Sequence, residues 1–190
     1  MLGEYLKLGF DHILDWNGYD HILFVAVLCA MYSWKEWKKI LILVTSFTVG
    51  HSLTLALSSL NIVQVNAQLV ETLIPMTIIL TGVFNIIISL KKTITKSNLA
   101  LNYFLAVFFG LIHGLGFSNF FKALISSEES ILMPLFAFNV GVEIGQIIIV
   151  GMIMLLTYIF IRYSKVEKIY WTITISTIAI VAATLLLIGV

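Results

Sequence analysis

The sequence has few charged residues, few prolines and one cysteine, and each shortage excludes a class of protein. Only 11% of its 190 residues are Asp, Glu, Lys or Arg, whereas soluble domains have about 25%. The lone Cys29 excludes an internal disulfide and a metal site built from several thiolates. With two prolines and no low-complexity tract, no segment has the composition of a disordered linker. A net charge of +1 gives no reason to expect a nucleic-acid partner.

Apolar residues, by contrast, are abundant and arranged in long runs. They make up 60% of the chain, and the mean hydropathy is +1.05. Runs of about 20 apolar residues recur, which is the length that crosses a bilayer core of about 30 Å. We therefore predict one all-α domain over 1–190, a polytopic membrane bundle of about six transmembrane helices. The predicted spans lie near 19–34, 39–59, 68–90, 99–121, 131–161 and 169–189.

The first 18 residues differ from the spans because apolar and charged residues share a helical period. Charged residues occupy one side and interrupt any continuous apolar core, so this segment does not resemble a signal peptide. The pattern predicts an amphipathic helix over 1–18 that lies at the membrane interface. Its charged side contains Glu4, Lys7, Asp11 and Asp15.

The basic residues are distributed unequally between the two predicted sides of the membrane. Nine of the 11 fall in the loops after the first, third and fifth spans. The positive-inside rule then places these loops in the cytoplasm and both termini outside. We expect a multi-pass protein of a bacterial inner membrane with this orientation. The nine are Lys35, Lys38, Lys39, Lys91, Lys92, Lys96, Arg162, Lys165 and Lys168.

Ionisable side chains occur within or beside the spans, where an isolated charge costs several kcal/mol. Depth can be counted at about 1.5 Å per residue from the cytoplasmic end of each helix. By this count Asp20 and the three histidines within the spans, His21, His51 and His113, lie roughly 18 to 22 Å deep. The same counting places Glu71 and Glu143 near the outer surface of the hydrocarbon layer. All four histidines thus fall in the outer half of the membrane. We expect these groups to face one another, water or an ion in a common cavity open to the outside.

Taken singly, several of these residues also have a purely structural interpretation. His51 alone is more simply a hydrogen-bonded packing residue, and Glu143 a protonated carboxyl bonded to Asn139. The Gly110-xxx-Gly114 and Gly141-xxx-Gly145 pairs are typical of helix packing. The placement of every histidine in one half of the membrane favours a functional interpretation, because chance would scatter them.

Histidine nitrogens and carboxylates without thiolates suit a divalent transition metal such as nickel, zinc, iron or manganese. Adjacent Asp20 and His21 lie about 100° apart on a helix, so one of them can bind an ion while the other orients it. Asn139, Glu143 and Gln146 form a polar stripe on the fifth span.

Five segments together resemble the HupE/UreJ family of bacterial membrane proteins. This family is associated with hydrogenase and urease gene sets and is regarded as nickel or cobalt permeases. Hydrogenase-linked members have five residues between the first histidine and the Asp-His pair, where this chain has seven, and two later histidines where it has one. The segments are GFDHILDWNGYDHILF (9–24), SFTVGHSLTLAL (46–57), VETLIP (70–75), FGLIHGLGFSN (109–119) and FNVGVEIGQ (138–146).

The resemblance implies that a set of residues handles the metal: His12, Asp20, His21, His113 and Glu143. His51 and Glu71 match patterns of the branch that this sequence most resembles, so His51 joins the candidate ligands. We expect Glu71, Asn139, Gln146 and Gly114 to support the site, and the ion to be nickel, cobalt or zinc.

Two functions of different classes are consistent with these residues. In the first, a permease, an ion enters from outside, loses water to the cluster and passes inward. Below His51, however, we find no carboxylate or histidine that marks the inner route. In the second, an intramembrane zinc-dependent hydrolase, three histidines hold zinc and a carboxylate acts as base on a lipid-like substrate from the outer leaflet. A metal-stabilised structural or sensory protein is a third.

We favour a transporter over an enzyme, because the family resemblance supports transport independently of the residue chemistry. The expected partners are the metal ion and the lipid bilayer. The span near 169–189 has no ionisable residue and several Ala, Ser and Thr. This composition suits close helix packing, as at the interface of a homo-oligomer.

Metal binding by these histidines should weaken in acid. An imidazole must be neutral to bind a metal, so protonation below about pH 6 competes with the ion and lowers the affinity. Isothermal titration of the purified protein with nickel at several pH values measures this effect. An affinity independent of pH would argue against histidine ligands.

Overall fold

The computed structural model describes residues 2–16, 18–91, 96–125, 130–164 and 166–189, with side chains omitted over 96–99. Every regular element in these ranges is helical, which confirms the predicted all-α class. Lys92, Lys165 and the side chain of Lys96, used above for orientation, lie outside the described residues. The α-helices are α1 Leu2–Ile13, α2 Asp20–Cys29, α3 Trp37–Ser59, α4 Ala67–Lys91, α5 Lys96–Leu124, α6 Leu132–Ser164 and α7 Lys168–Ile188.

Five helices of the described chain, α3 to α7, are long and apolar enough to cross a membrane. Their ends agree with the predicted spans to within three residues. Length and apolar content suffice to locate these helices because the bilayer requires both. The first predicted span is shorter than expected, since α2 has only 10 residues. A short 3₁₀ helix, Trp34–Glu36, follows it.

Helices α1 and α2 run in the same direction and together follow α5 across the bundle. The path begins beside Phe121 and ends beside Asn102, so it covers about 20 residues of α5, or roughly 30 Å. The two helices are therefore the halves of one span, and the described residues between them, 14–16 and 18–19, lie outside either helix. In order, the ring contacts along α5 are Tyr5 with Phe121, His12 with Phe117, His21 with His113 and Phe24 with Phe109, and the Asn102 amide then donates to the Tyr32 hydroxyl.

The helix predicted at the N-terminus is present as α1, but it packs against α6 instead of lying apart at the interface. A Cβ atom added to Gly141 would lie 2.0 Å from the carbonyl oxygen of Leu6, and one added to Gly9 would lie 2.0 Å from that of Phe138. Only glycine permits such contact between two helix backbones. The amphipathic pattern arises because one face of α1 covers α6, while Lys7 and Asp11 form an exposed ion pair on the other.

Helices α3 and α5 lie parallel and in close contact through glycines of both. A Cβ atom at Gly110 would be 2.2 Å from the carbonyl oxygen of Phe47, and one at Gly114 would be 2.2 Å from that of His51. Because α5 is a continuous helix through these glycines, they serve packing and not a hinge. Their contacts fix His51 of α3 beside the helix that carries His113.

Small residues of α7 are used for packing within the chain. Thr172, Ser176, Ala179 and Ala183 are buried on one face. This face lies against α4, where a Cβ atom on Gly82 would be 3.1 Å from the Ser176 carbonyl oxygen. The close packing predicted for α7 therefore occurs within a single chain. A homo-oligomer formed through α7 would have to use another face of this helix.

One end of the bundle, which we call the basic end, contains the described lysines and arginine of the inter-span loops. An acidic residue ties three elements together there. Glu36 accepts hydrogen bonds from the backbone N–H and hydroxyl of Ser33, both at 3.1 Å, which caps the 3₁₀ helix. Its carboxylate also pairs with Lys39 of α3 at 2.8 Å and Lys168 of α7 at 3.6 Å.

Gly141→Ala tests the packing of α1. The added methyl group would overlap the Leu6 carbonyl oxygen, so α1 must move, and we expect a loss of about 1–3 kcal/mol and a lower unfolding temperature in detergent. Gly151→Ala on the same helix is the control, because nothing lies within 4 Å of its Cβ position. Equal unfolding temperatures for the two variants would show that α1 is not docked on α6.

Candidate metal centre

Four helices each contribute one histidine to a cluster at the break between α1 and α2. Ring centroids of His12 and His21 are 4.5 Å apart, and those of His21 and His113 are 5.2 Å apart. His51 lies 5.8 Å from His12 and 6.0 Å from His21. Together with Asp20 these residues are called the histidine cluster. The convergence expected from the sequence is therefore present for five of the six candidate ligands.

Most of the histidine cluster is enclosed by protein, whereas the sequence suggested a cavity open to the outside. His21, His51 and His113 are 4%, 0% and 1% exposed. His12 is half-buried, and the side chain of Asp20 is 20% exposed. Access is thus greatest on the side of His12 and Asp20, and the conformation is close to an occluded one.

Phenylalanine rings cover the cluster on both sides. Toward the basic end, Phe24 and Phe47 pack against each other, and the centroid of each ring lies 5.1 Å from that of His113. We call these two rings the basic-end layer. Toward the other end, the ring centroids of Phe117 and His12 are 4.1 Å apart, and Phe138 is stacked on Phe117 and His51. We call Phe117 and Phe138 the opposite layer. The layers exclude water, which strengthens electrostatic interactions inside them.

Several ring nitrogens of the cluster are buried without a hydrogen-bond partner among the described residues. Buried polar atoms nearly always have a partner, and an isolated one costs free energy. Their number and convergence fit a metal ion, whose ligands must present free lone pairs. The nitrogens are Nε2 of His12, Nε2 of His21, both nitrogens of His51 and Nδ1 of His113.

Two neighbouring residues orient the rings of His21 and His113. Nδ1 of His21 lies 3.1 Å from Asp20 Oδ1, so a proton on Nδ1 leaves Nε2 free. The Thr77 hydroxyl donates to the Ile74 carbonyl at 2.7 Å, and it therefore accepts the Nε2 proton of His113 at 3.1 Å. That hydrogen bond leaves Nδ1 of His113 as the nitrogen with a lone pair. Such partners fix the tautomer and direction of metal-binding histidines.

The possible ligand atoms form two groups in the described part of the chain. Within each group, one ligand atom of every residue lies within 4.8 Å of the others. The first group is His12, His21 and His51, and the second is Asp20, His21 and His113. Asp20 can thus be a metal ligand or the hydrogen-bond partner of His21. These are the two roles that its position next to His21 in the sequence left open.

Glu143 is the candidate ligand that the structure places outside the cluster. Its carboxylate accepts hydrogen bonds from the hydroxyls of Thr45 and Thr48, both at 2.6 Å, and Thr48 also contacts Gln146 Oε1 at 2.7 Å. Both threonines precede His51 on α3, so Glu143 lies nearer the basic end than His51 does.

This position corrects the depth that residue counting assigned to Glu143. Helix α6 has 33 residues, which corresponds to about 50 Å against a hydrocarbon layer of about 30 Å. Counting from the end of such a helix overestimates depth, because the helix tilts or extends beyond the membrane. Glu143 and its neighbours therefore lie on the basic-end side of His51, where the sequence showed no carboxylate.

The supporting residues are placed separately. Glu71 is exposed on α4 and is not in either ligand group. Asn139 donates to the Leu135 carbonyl at 2.8 Å, and its buried Oδ1 has no partner in the described residues. Gln146 is fully buried beside Thr48, and Gly114 contacts the backbone of His51.

Sequence reasoning missed Thr77 and the two phenylalanine layers. A signal for the layers is present in the spacing: Phe24, Phe47 and Phe117 each lie three or four residues from a histidine on the same helix. This spacing places a ring and an imidazole on one helix face. Thr77 has no comparable signal, because its partner His113 is on another helix.

A sequence model described as "HupE / UreJ protein" matches residues 1–189. No curated protein and no solved structure shows a detectable match. The match covers α1 to α7 and thus every helix that contributes to the cluster.

Thr77→Val tests the orientation of His113. Valine has the shape of threonine but cannot accept the Nε2 proton, so we expect metal affinity to fall up to about tenfold, with little change in stability. Thr81→Val is the control, since that buried hydroxyl donates to the Thr77 carbonyl one turn away. Isothermal titration compares the variants, and equal affinities would remove Thr77 from the site.

Proposed function

Because the chain belongs to the HupE/UreJ family, we propose that it is a permease for a divalent transition-metal ion, of the nickel or cobalt type. The observation that carries this proposal is the set of unpartnered ring nitrogens from four helices at the broken span. The ion is the cargo. Imidazole nitrogens and one carboxylate suit nickel, cobalt and zinc alike.

The basic end faces the cytoplasm in this proposal, and both termini lie outside in a bacterial inner membrane. Of the basic residues whose side chains the structure describes, only Lys7 and Lys122 belong to the opposite end. The described lysines and arginine at the basic end follow the positive-inside rule. An ion entering from outside then meets His12 first, since this half-buried histidine lies against the opposite layer.

Entry is favoured by an acidic residue just after α1. Asp15 is exposed there, three residues after His12, whereas the exposed Asp11 is paired with Lys7. Carboxylates at the mouth of a pathway raise the local concentration of cations. The opposite layer of Phe117 and Phe138 must move aside before the ion reaches His51.

Glu143 supplies oxygen ligands on the cytoplasmic side of the cluster. Its carboxylate, two threonine hydroxyls and the Gln146 amide lie together one to two helical turns from His51. Such oxygen groups bind a transition metal more weakly than imidazoles do, which favours release. The basic-end layer of Phe24 and Phe47 contacts His113, and its displacement would open the inward route.

The break between α1 and α2 is the element best suited to move. Membrane transporters place binding sites at discontinuous helices, where backbone and side chains can rearrange about a fixed cargo. Here the break carries His12 at one helix end and Asp20 with His21 at the other. A small rotation of either half would change access to the cluster.

Transport is tested with the purified protein in sealed proteoliposomes loaded with a nickel-sensitive dye. The wild type should carry nickel inward, His21→Ala should lower both binding and flux at least tenfold, and His113→Ala should lower flux at least tenfold. Glu143→Gln should keep nickel binding but lower flux, because Glu143 acts after the cluster. Glu167→Gln, an exposed residue before α7, is the matched control with unchanged flux.

Two results would contradict the permease. Absence of flux in the wild type together with tightly retained zinc would favour the intramembrane zinc-dependent hydrolase. Loss of binding in Glu143→Gln equal to that in His21→Ala would place Glu143 among the ligands and remove the sequential route.

A further inference from the structure

The histidine cluster extends further than one metal ion can reach. Metal bonds to nitrogen and oxygen of about 2.0–2.2 Å keep all ligand atoms of one ion within roughly 4.4 Å of each other. In the described chain, no group of three ligand atoms within 4.8 Å joins His113 to His12 or His51. One ion in this arrangement therefore cannot contact all of the histidines.

The two groups of ligand atoms overlap at a single residue. His21 belongs to both, while His12 and His51 belong only to the first and Asp20 and His113 only to the second. His21 is 4% exposed and comes directly after the break, at the start of α2. Its ring is within 4.5 to 6.0 Å of the three other imidazoles, measured between centroids.

We propose that the cluster offers two overlapping positions to one ion, and that His21 is the ligand shared by both. Position A consists of His12, His21 and His51; position B consists of Asp20, His21 and His113. The inference rests on the proposed transport function, which it deepens by naming the step at which the ion is passed inward.

The positions are occupied one at a time because of charge. Asp20 is the only carboxylate in the two groups, and two divalent ions sharing His21 would repel each other strongly between apolar layers of phenylalanine. An ion in one position leaves the other as a set of free ligands. Each position has three protein ligands. The ion can therefore bind a fourth ligand, from the other position, before it releases one of the first three.

The shared ligand allows transfer without releasing the ion into an apolar space. Position A includes His12, the half-buried histidine, and so receives the ion. Position B includes His113, which contacts both rings of the basic-end layer. Passing the ion from A to B exchanges His12 and His51 for Asp20 and His113 while His21 remains bound. Conduction needs several such positions, each weak enough to leave.

The proposal is tested by cobalt titration of the full-length protein in detergent, combined with nickel flux in proteoliposomes. The wild type should bind one cobalt per chain. His51→Ala keeps position B and His113→Ala keeps position A, so each should bind one cobalt with affinity reduced less than about tenfold. The double variant should lose more than a hundredfold. Flux should fall at least tenfold in both single variants despite retained binding.

The visible spectrum of bound cobalt identifies the position. His113→Ala should show a site with nitrogen ligands only, and His51→Ala a different spectrum with a carboxylate ligand. Ser52→Ala, next to His51 on α3, is the control and should match the wild type, since its hydroxyl only donates to the Thr48 carbonyl. Unchanged helical content of every variant by circular dichroism establishes that it is folded.

Three outcomes would overturn the inference while leaving the permease in place. These are two cobalt ions per chain, identical spectra for the two single variants, and loss of binding in only one of them. The last result would show a single site. A wild type that neither binds cobalt nor carries nickel would instead contradict the proposed function itself.

Discussion

The structure depends on one constraint: imidazole nitrogens buried in a membrane protein must be satisfied, and here protein groups satisfy only some of them. Thr77 and Asp20 each engage one nitrogen, of His113 and His21. Five other ring nitrogens of the cluster are buried without partners among the described residues. In an apolar surrounding that arrangement is costly unless a cation completes it, and this cost links the fold to metal handling.

Glycine contacts make the convergence possible. Lipid tails are as apolar as side chains, so helices in a membrane associate through close packing instead of the hydrophobic effect. Gly110 and Gly114 bring α5 against the backbone of α3 at Phe47 and His51, and Gly141 does the same for α1 and α6. Each contact joins a pair of helices that contribute to the cluster or to the layers that cover it. Packing and site are therefore specified by the same residues.

The arrangement along the bundle suits a cargo that must enter and leave. Imidazoles, the stronger ligands for a transition metal, lie between two phenylalanine layers, while weaker oxygen ligands around Glu143 lie nearer the basic end than His51. A gradient of ligand strength with apolar barriers on both sides allows binding without permanent retention. Between the two halves of the broken span, described residues 14–16 and 18–19 place backbone that is not held in a helix next to the cluster.

The sequence by itself determined the features that depend on local pattern: five spans, a helix over Leu2–Ile13 and a ligand set without thiolates. These follow from length, periodicity and residue type, which neighbours in space do not alter. The tertiary structure alone decided that α1 docks on α6 to complete a span with α2, that Glu143 lies nearer the basic end than His51, and that Thr77 orients His113. Tilt, helix partners and contacts between distant residues decide these points. A one-dimensional pattern shows which face of a helix is apolar but not which neighbour covers it.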